Sequence, residues 1–427
     1  MKYGLLWHKT TTNLGDDIQS YALEQFLPHT DYLLNREHLN EFISHDKEPV
    51  AAIMSAWWMW EKWNWPPTKY IIPHFVGFHY SNNKLAKQPG CPCSYDFLTG
   101  LGGDYLNAHG PIGVRDDFTE ENMKINNIDS FFSGCITLTL PKMPKREVEK
   151  PYICIVDTNK AVEKRLIKQA AKAGLDVKVM NHYVDYSKDS STWEERKKIV
   201  EEVLTVYQNA QCVFTRRLHC ALPCLAIGTP VCLVIRTPES IRFSPYRNWL
   251  HTCTPRMYLD GEFEYSIVDP PANKTEHLKY REELKSSIND FVKSMEEGPQ
   301  DLQSLVKVSY TDKEIQAWRY PKMVKVLNQW AESINSQYKE LKTLEASAPK
   351  KKKGLKNTIK DILKGTLKIQ VPAKFRSVPK NVVDLPVEQL SQNNIELAKI
   401  LRNCLDVERK IDGRRKAAKK RLANSKK

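Results

Sequence analysis

The chain has 427 residues, 41% of them hydrophobic and 10% aromatic, long enough for two domains plus an extension with sizeable cores. Its formal charge of +14 is uneven: residues 343–427 carry 23 Lys and Arg against 8 Asp and Glu, so the body before them is close to neutral. That leaves a nucleic-acid-binding body without support and places the electrostatics in the tail. No run approaches 18 uninterrupted apolar residues and the start is too short and polar for a signal peptide, so the expected compartment is the cytoplasm.

Residues 3–7 predict a first strand. A polar loop, Asn13-Leu14-Gly15-Asp16-Asp17, then leads into a helix with Ile18, Tyr21, Ala22 and Phe26 on one face. Val50–Met54 predicts a second strand. It is followed by a tryptophan cluster from Trp57 to Trp65, whose flat rings suit either sugar stacking or, more commonly, core filling. Residues 71–80 predict another strand, Pro111–Thr119 a strand-to-helix junction, and 131–140 a β-rich finish; the Lys- and Pro-rich 141–150 reads as a linker. Beyond it come strand 152–157, helix 160–173, strand 177–181 and a helix near 193–208. Strands alternating with helices imply parallel sheets with crossovers.

Residues 211–235 then read as strand, charged turn, helix, stop and strand, with Thr215, Arg216, Arg217 and His219 between the first strand and the helix. In such units ligands collect beyond the carboxyl ends of the strands, and an arginine fork beside a helix amino terminus suits carboxylate or phosphate. Gly100-Leu-Gly-Gly103 matches no phosphate-loop spacing. The ten cysteines sit at unrelated spacings, several within apolar patterns, and read as reduced core residues. Neither Cys91-Pro-Cys93 nor the group Cys212, His219, Cys220 and Cys224 has the paired knuckles of a zinc site, so no metal is expected.

These residues carry a resemblance to the polysaccharide pyruvyl transferase family: Asn13–Asp17, Pro111-Ile112-Gly113-Val114-Arg115-Asp116, Ser133–Leu140, and Arg217-Leu218-His219 with Gly228-Thr229-Pro230. The order and spacing of these pieces make the match specific, and it covers roughly residues 3–240. The resemblance implies an α/β fold of two Rossmann-like lobes facing a cleft, as in GT-B transferases. The boundaries expected are 1–145 and 151–310 for the lobes, 311–345 for closing helices and 346–427 for a basic helical or partly disordered extension. It also implies transfer of a pyruvyl group from phosphoenolpyruvate, as donor substrate with no further cofactor, to hydroxyls of a glycan or lipid-linked sugar, forming a ketal.

Such a donor carries a carboxylate and a phosphate, which Arg115, Arg217, Arg216, Thr215 and His219 would bind. His219 is the candidate acid or phosphate-binding cation, because histidine titrates near neutrality. Asp16 or Asp17 reads either as the base for the acceptor hydroxyl or as a helix cap. Asn13, Gly15 and Trp57 are counted with the substrate-binding residues: Gly15 permits turn geometry and close backbone approach, and Trp57 offers a sugar face. A GT-B glycosyltransferase using a nucleotide sugar and a non-enzymatic membrane- or nucleic-acid-binding scaffold are the alternatives.

In the tail, Lys352, Lys356, Lys360, Lys364 and Lys368 recur every four residues beside Leu355, Ile359, Leu363 and Leu367. That is the pattern of a basic amphipathic helix on an anionic membrane, and it implies peripheral docking at the inner face; a solvated extension or a nucleic-acid arm is the alternative. A second helical pattern, through Val387, Leu390, Leu397, Leu401 and Leu405, is expected to pair with itself or with the first.

Overall fold

The computed structural model describes residues 1–80, 95–144, 146–185, 192–237, 241–298, 301–347 and 367–425. Its first part runs β1 (Gly4–Trp7), α1 (Leu14–Glu24), β2 (Tyr32–Asn35), β3 (Val50–Met54), β4 (Trp57–Trp58), β5 (Ile71–Phe75), β6 (His79–Tyr80), α2 (Leu101–Ala108), β7 (Ile112–Val114), α3 (Asp117–Ile125) and β8 (Ser130–Phe132). There follow β9 (Tyr152–Val156), α4 (Lys160–Lys172), β10 (Asp176–Met180), α5 (Trp193–Asn209), β11 (Cys212–Thr215), α6 (Leu218–Ile227), β12 (Val231–Val234), β13 (His251–Cys253), α7 (Pro255–Asp260) and α8 (His277–Glu296). Two long helices come last, α9 (Asp312–Ser347) and α10 (Val387–Ser425). The expected α/β class with parallel sheets is what the chain forms, and every ladder between these strands is parallel.

The chain divides into two compact units: Met1–Trp58, Pro66–Tyr80 and Gly103–Val308 form one, and Met59–Trp65, Ser81–Gly102 and Ser309–Lys427 the other. In the first unit, β2 pairs with β1 and β3 with β5, and an isolated bridge from Tyr3 to Ala51 carries the pairing between them. Phe78 bridges to Val114, beside the β7–β8 pair. The 71–80 stretch is two strands, because Gly77 takes a left-handed conformation (φ +61°) between them. The expected β-rich segment 131–140 is strand only as far as Phe132. Gly134 turns left-handed (φ +75°) and the Thr139 hydroxyl donates to the Ile136 carbonyl at 2.7 Å, so a buried 3-10 turn replaces sheet pairing.

Later in the same unit, five parallel strands lie in the order β10-β9-β11-β12-β13. β9, β11 and β12 are buried throughout, as central strands covered on both faces require. Helix α6 is buried on every side, and its Gly228 cap is left-handed (φ +84°), a conformation glycine adopts at little cost. Eight cysteines lie in the described residues, all buried and reduced.

In the second unit, α9 is a single helix of 36 residues and α10 one of 39. Buried Leu390, Leu397, Leu401, Cys404, Ile411 and Ala418 recur at intervals of three, four and seven on α10, the spacing of a helix seam. Its partner is α9: Trp330 and Gln337 both donate to Glu408 at 3.0 Å, and Arg414 forks onto Glu345 at 2.9 and 2.7 Å. The buried tryptophans Trp63 and Trp65 belong to this unit, and Trp65 donates to the Gly102 carbonyl at 3.2 Å. Cys91-Pro-Cys93 and the lysines from Lys352 to Lys364 lie outside the described residues. Among those described, no helix is long and apolar enough to cross a membrane.

Candidate active site

The site begins with the short loop between β1 and α1. Asn13 caps α1 by accepting from Gly15 N–H at 3.3 Å, and it forms a bridge to Tyr183 in the segment after β10. Leu14 N–H donates to the His182 carbonyl at 2.9 Å and Val184 N–H to that of Thr12 at 2.9 Å, so this loop is stitched to one from the later sheet. The stitching delivers Gly15 to His219. A β-carbon on Gly15 would stand 2.9 Å from Nδ1 and 3.0 Å from Cβ of that histidine, a space only glycine leaves open.

His219 lies in the first turn of α6 with a distorted backbone (φ −79°, ψ 19°). Four residues on, Pro223 has no N–H to bond the His219 carbonyl and its ring crowds that group, which is why the helix starts irregularly there. The imidazole is only 7% exposed. Its Nε2 is 3.4 Å from Nη1 of Arg115, which follows β7 and is 2% exposed. An arginine N–H can only donate, so in this geometry Nε2 accepts and the ring proton belongs on Nδ1.

Gln19 ties the parts together. Its Oε1 accepts from Arg115 Nη1 at 2.9 Å, and its Nε2 donates to the Gly15 carbonyl at 3.3 Å and to Asp16 Oδ1 at 3.5 Å. Asp16 Oδ2 also accepts from the Thr11 hydroxyl at 2.6 Å and meets His8 Nδ1 at 3.4 Å, while Arg36 Nη1 is 3.7 Å from its other oxygen. Burial pushes the Asp16 carboxyl upward, but the His8 hydrogen bond, the Arg36 charge and the Thr11 hydroxyl overcome it and hold the group well below the usual carboxylate range. It is ionised at any working pH.

Arg115 is fixed from behind. Its carbonyl accepts from the Tyr246 hydroxyl at 2.5 Å, and the next residue, Asp116, caps α3 by accepting from Thr119 N–H at 2.9 Å. Asp116 also pairs with His79, and although burial raises its carboxyl, that histidine and Arg115 bring it below the usual range.

The remaining candidates sit elsewhere. Asp17 is fully buried and forms an ion pair of 3.3 Å with Arg196 on α5, whose guanidinium also donates to the His8 and Lys9 carbonyls. Arg217, half-exposed, directs Nε to Asp157 Oδ2 at 2.8 Å, and its N–H donates to the Thr215 hydroxyl at 2.9 Å, so Thr215 shapes the turn. Arg216 is exposed and lines a cleft with Asp157. Trp57 lies under the Arg36 guanidinium, 5.4 Å from ring centre, and so borders the Asp16 cluster. Among the described residues no group of three or more His, Cys, Asp and Glu side chains is arranged to hold a metal.

A family model for polysaccharide pyruvyl transferases matches residues 13–237, more than half the chain and a span that holds every one of these residues but His8, Lys9, Thr11, Thr12 and Tyr246. The chain belongs to the polysaccharide pyruvyl transferase family. The family is one of transferases that act on polysaccharide. A comparison with curated proteins returns no match. Among solved structures, the chain is similar to a functionally uncharacterised protein from Klebsiella pneumoniae, at 14% identity over 59% of this chain and 92% of that one with a TM-score of 0.31. It is also similar to TibC, an iron-containing dodecameric glycosyltransferase of enterotoxigenic Escherichia coli, at 16% identity over 70% and 82% with a TM-score of 0.26. The site of this pyruvyl transferase family member rests on its own geometry.

Sequence reasoning missed Gln19, Arg36, His8 and Asp157. Gln19 carried a usable signal, being a polar residue four positions after Gly15 on the buried face of α1. Arg36 and His8 follow strands and look like ordinary surface polar residues until the fold brings them to Asp16.

Proposed function

We propose that this protein transfers a pyruvyl group from phosphoenolpyruvate to two hydroxyls of a glycan or lipid-linked sugar, with Arg115 and His219 at the donor. The observation that carries this reading is the 3.4 Å approach of Arg115 to His219. It puts two groups able to donate to a dianionic donor side by side and nine-tenths or more buried, where electrostatic interactions are strong.

With donor bound, its anionic groups take the place that His219 Nε2 occupies on Arg115, and the imidazole then carries a proton on each nitrogen. His219 gives one proton to the methylene carbon, C2 gains oxocarbenium character, and an acceptor hydroxyl adds there. Asp16 takes that hydroxyl's proton; a low carboxyl pKa suffices, because the attacking oxygen becomes strongly acidic as its bond to C2 forms. The C2–O bond to phosphate then breaks and inorganic phosphate leaves, the second hydroxyl bonds to C2 to close the ketal, and its proton goes to the His219 nitrogen that gave one up in the first step. Gln19 holds Asp16 and Arg115 in register. Arg217, through its pairing with Asp157, marks the acceptor side. In this reading residues 1–145 and 151–310 serve as the two lobes of a GT-B-like enzyme, the first contributing paired parallel strands and the second the five-stranded parallel sheet.

The test is acceptor-dependent release of inorganic phosphate from phosphoenolpyruvate across a panel of sugars. Release of nucleoside diphosphate from a nucleotide sugar instead, or phosphate release undiminished in His219→Ala, defeats the assignment. The lysine-rich tail supports peripheral docking on an anionic bilayer, each lysine near the surface adding about 1 kcal/mol. Co-sedimentation with phosphatidylglycerol vesicles should be lost when Lys352, Lys356, Lys360 and Lys364 are changed to Glu, and binding retained by that variant removes the docking role.

A further inference from the structure

We propose that the crevice at the carboxyl edge of the five-stranded sheet is a second anion site, a diphosphate-binding subsite that seats the carrier end of the sugar acceptor. It rests on the pyruvyl-transfer reading for its role, while its existence as a site stands on separate observations. The strand order β10-β9-β11-β12-β13 reverses direction between β9 and β11, and at such a switch point the two flanking connections leave on opposite sides and open a crevice. A cleft of about 540 Å³ lies there, lined by Asp157, Thr158 and Lys160 after β9, Met180 at the end of β10, Arg216 after β11 and Arg236 beyond β12.

The chemistry of its walls is anionic recognition. Arg216 and Arg236 are both exposed, and among the described residues neither guanidinium has an ion pair. Lys160 is occupied by Glu163 at 2.8 Å, and Asp157 by Arg217, so the two arginines supply the net charge. The 13-residue helix α4 points its amino terminus at the same place, with Asn159 as cap. Thr158 is 8% exposed, and its hydroxyl is buried with no hydrogen-bond partner, an unmet donor at the mouth of a helix dipole. Asp157 holds a left-handed backbone (φ +52°), a conformation that costs a non-glycine residue energy and tends to be retained where it serves a site.

Two separate guanidinium forks and a helix terminus suit two phosphoryl groups better than one, and the volume leaves room for what the diphosphate carries. Met180 and the half-exposed Val179 give that remainder an apolar wall. The Arg217–Asp157 pair is the partition: Asp157 lines this cleft, while Arg217 begins the turn that carries His219. A carrier anchored here would point its sugar toward the donor.

The experiment is calorimetric titration of the full chain with inorganic pyrophosphate, with UDP and with farnesyl diphosphate in detergent. Pyrophosphate should bind, and Arg236→Gln should weaken it at least tenfold and Thr158→Val several-fold, while both variants melt like the parent and bind phosphoenolpyruvate unchanged. His219→Ala should abolish turnover of phosphoenolpyruvate and leave pyrophosphate affinity intact. Tighter binding of UDP identifies a nucleotide as the carrier, and tighter binding of farnesyl diphosphate identifies a lipid; either supports the subsite. No pyrophosphate binding, binding indifferent to Arg236→Gln, or binding lost in His219→Ala and displaced by phosphoenolpyruvate overturns it. A chain that binds pyrophosphate in this manner yet never releases phosphate from phosphoenolpyruvate keeps the subsite and loses the donor assignment instead.

Discussion

Gly15→Ala probes the contact on which the donor site depends. The added carbon would stand 2.9 Å from His219 Nδ1, whereas ordinary contact begins near 3.4 Å, so the imidazole has to retreat by about half an ångström. That ring is buried against Arg115, and moving it lengthens a contact that is already 3.4 Å. Misplacing a reacting group by about 1 Å costs on the order of a hundredfold, so a loss of roughly ten- to a hundredfold in kcat is expected. Stability should fall by no more than about 2 kcal/mol, because the gain of about 1 kcal/mol from replacing a helical glycine offsets part of an overpacking cost of about 1–3 kcal/mol. The assay is phosphate release from phosphoenolpyruvate beside a thermal melt, run on Gly15→Ala, His219→Ala and the double variant. If Gly15 acts through His219, the second substitution adds nothing once the histidine is gone. A folded Gly15→Ala enzyme with parental kcat, or a full additional loss in the His219→Ala background, would falsify that linkage.

Asp17→Ala should lower stability by about 3–5 kcal/mol, because it removes a fully buried carboxylate that pairs with the buried Arg196; an unchanged urea midpoint would count against the pairing. Asp16→Asn should instead lower kcat by about a hundred- to ten-thousandfold with a smaller change in the melt. Asp16 is held below the usual carboxylate range, so it is ionised throughout and contributes no acid limb near neutrality. The pH–rate profiles of parent and Asp16→Asn should therefore share one shape above pH 5 while differing in height. His74 gives an opposite kind of signal, in stability alone. Burial lowers it from 6.5 to about 4, so the unfolded chain binds a proton that the native chain refuses between those values. The stabilisation is complete above pH 6.5 and is lost as pH falls toward 4, by about 3 kcal/mol in all. His74→Phe should flatten that part of the stability curve, and an identical curve for the variant would show that another group is responsible.

How much of this was legible beforehand depended on the range of the interactions. β3 was readable as Val50–Met54 because a strand covered on both faces is an unbroken apolar run, and α4 because its apolar residues recur at helical spacing. The 131–140 stretch misled because Thr and Ile favour strands in general, whereas Gly134 and the Thr139 hydroxyl impose a turn locally. The anion chemistry of Arg115, Arg217 and His219 was visible in residue type. Their division was not: Arg115 faces His219, while Arg217 faces Asp157, a residue more than fifty positions away that nothing in the sequence singles out.

Asp16 and Asp17 show why local pattern could not finish the assignment. Both are carboxylates in the first turn of α1, equally suited to favour its amino terminus. Successive residues on a helix differ in direction by about 100°, so one step along the chain separates their surroundings completely. Asp17 meets Arg196 on α5 and is fully buried, which consumes its charge in holding that helix to the β1–α1 loop. Asp16 turns toward Gln19, and through it toward Arg115 and His219, and it keeps some exposure. A base must reach a ligand, and a counter-ion must not. The two neighbours therefore cannot exchange jobs, and a swap of each for asparagine should separate catalysis from stability within a single turn of helix.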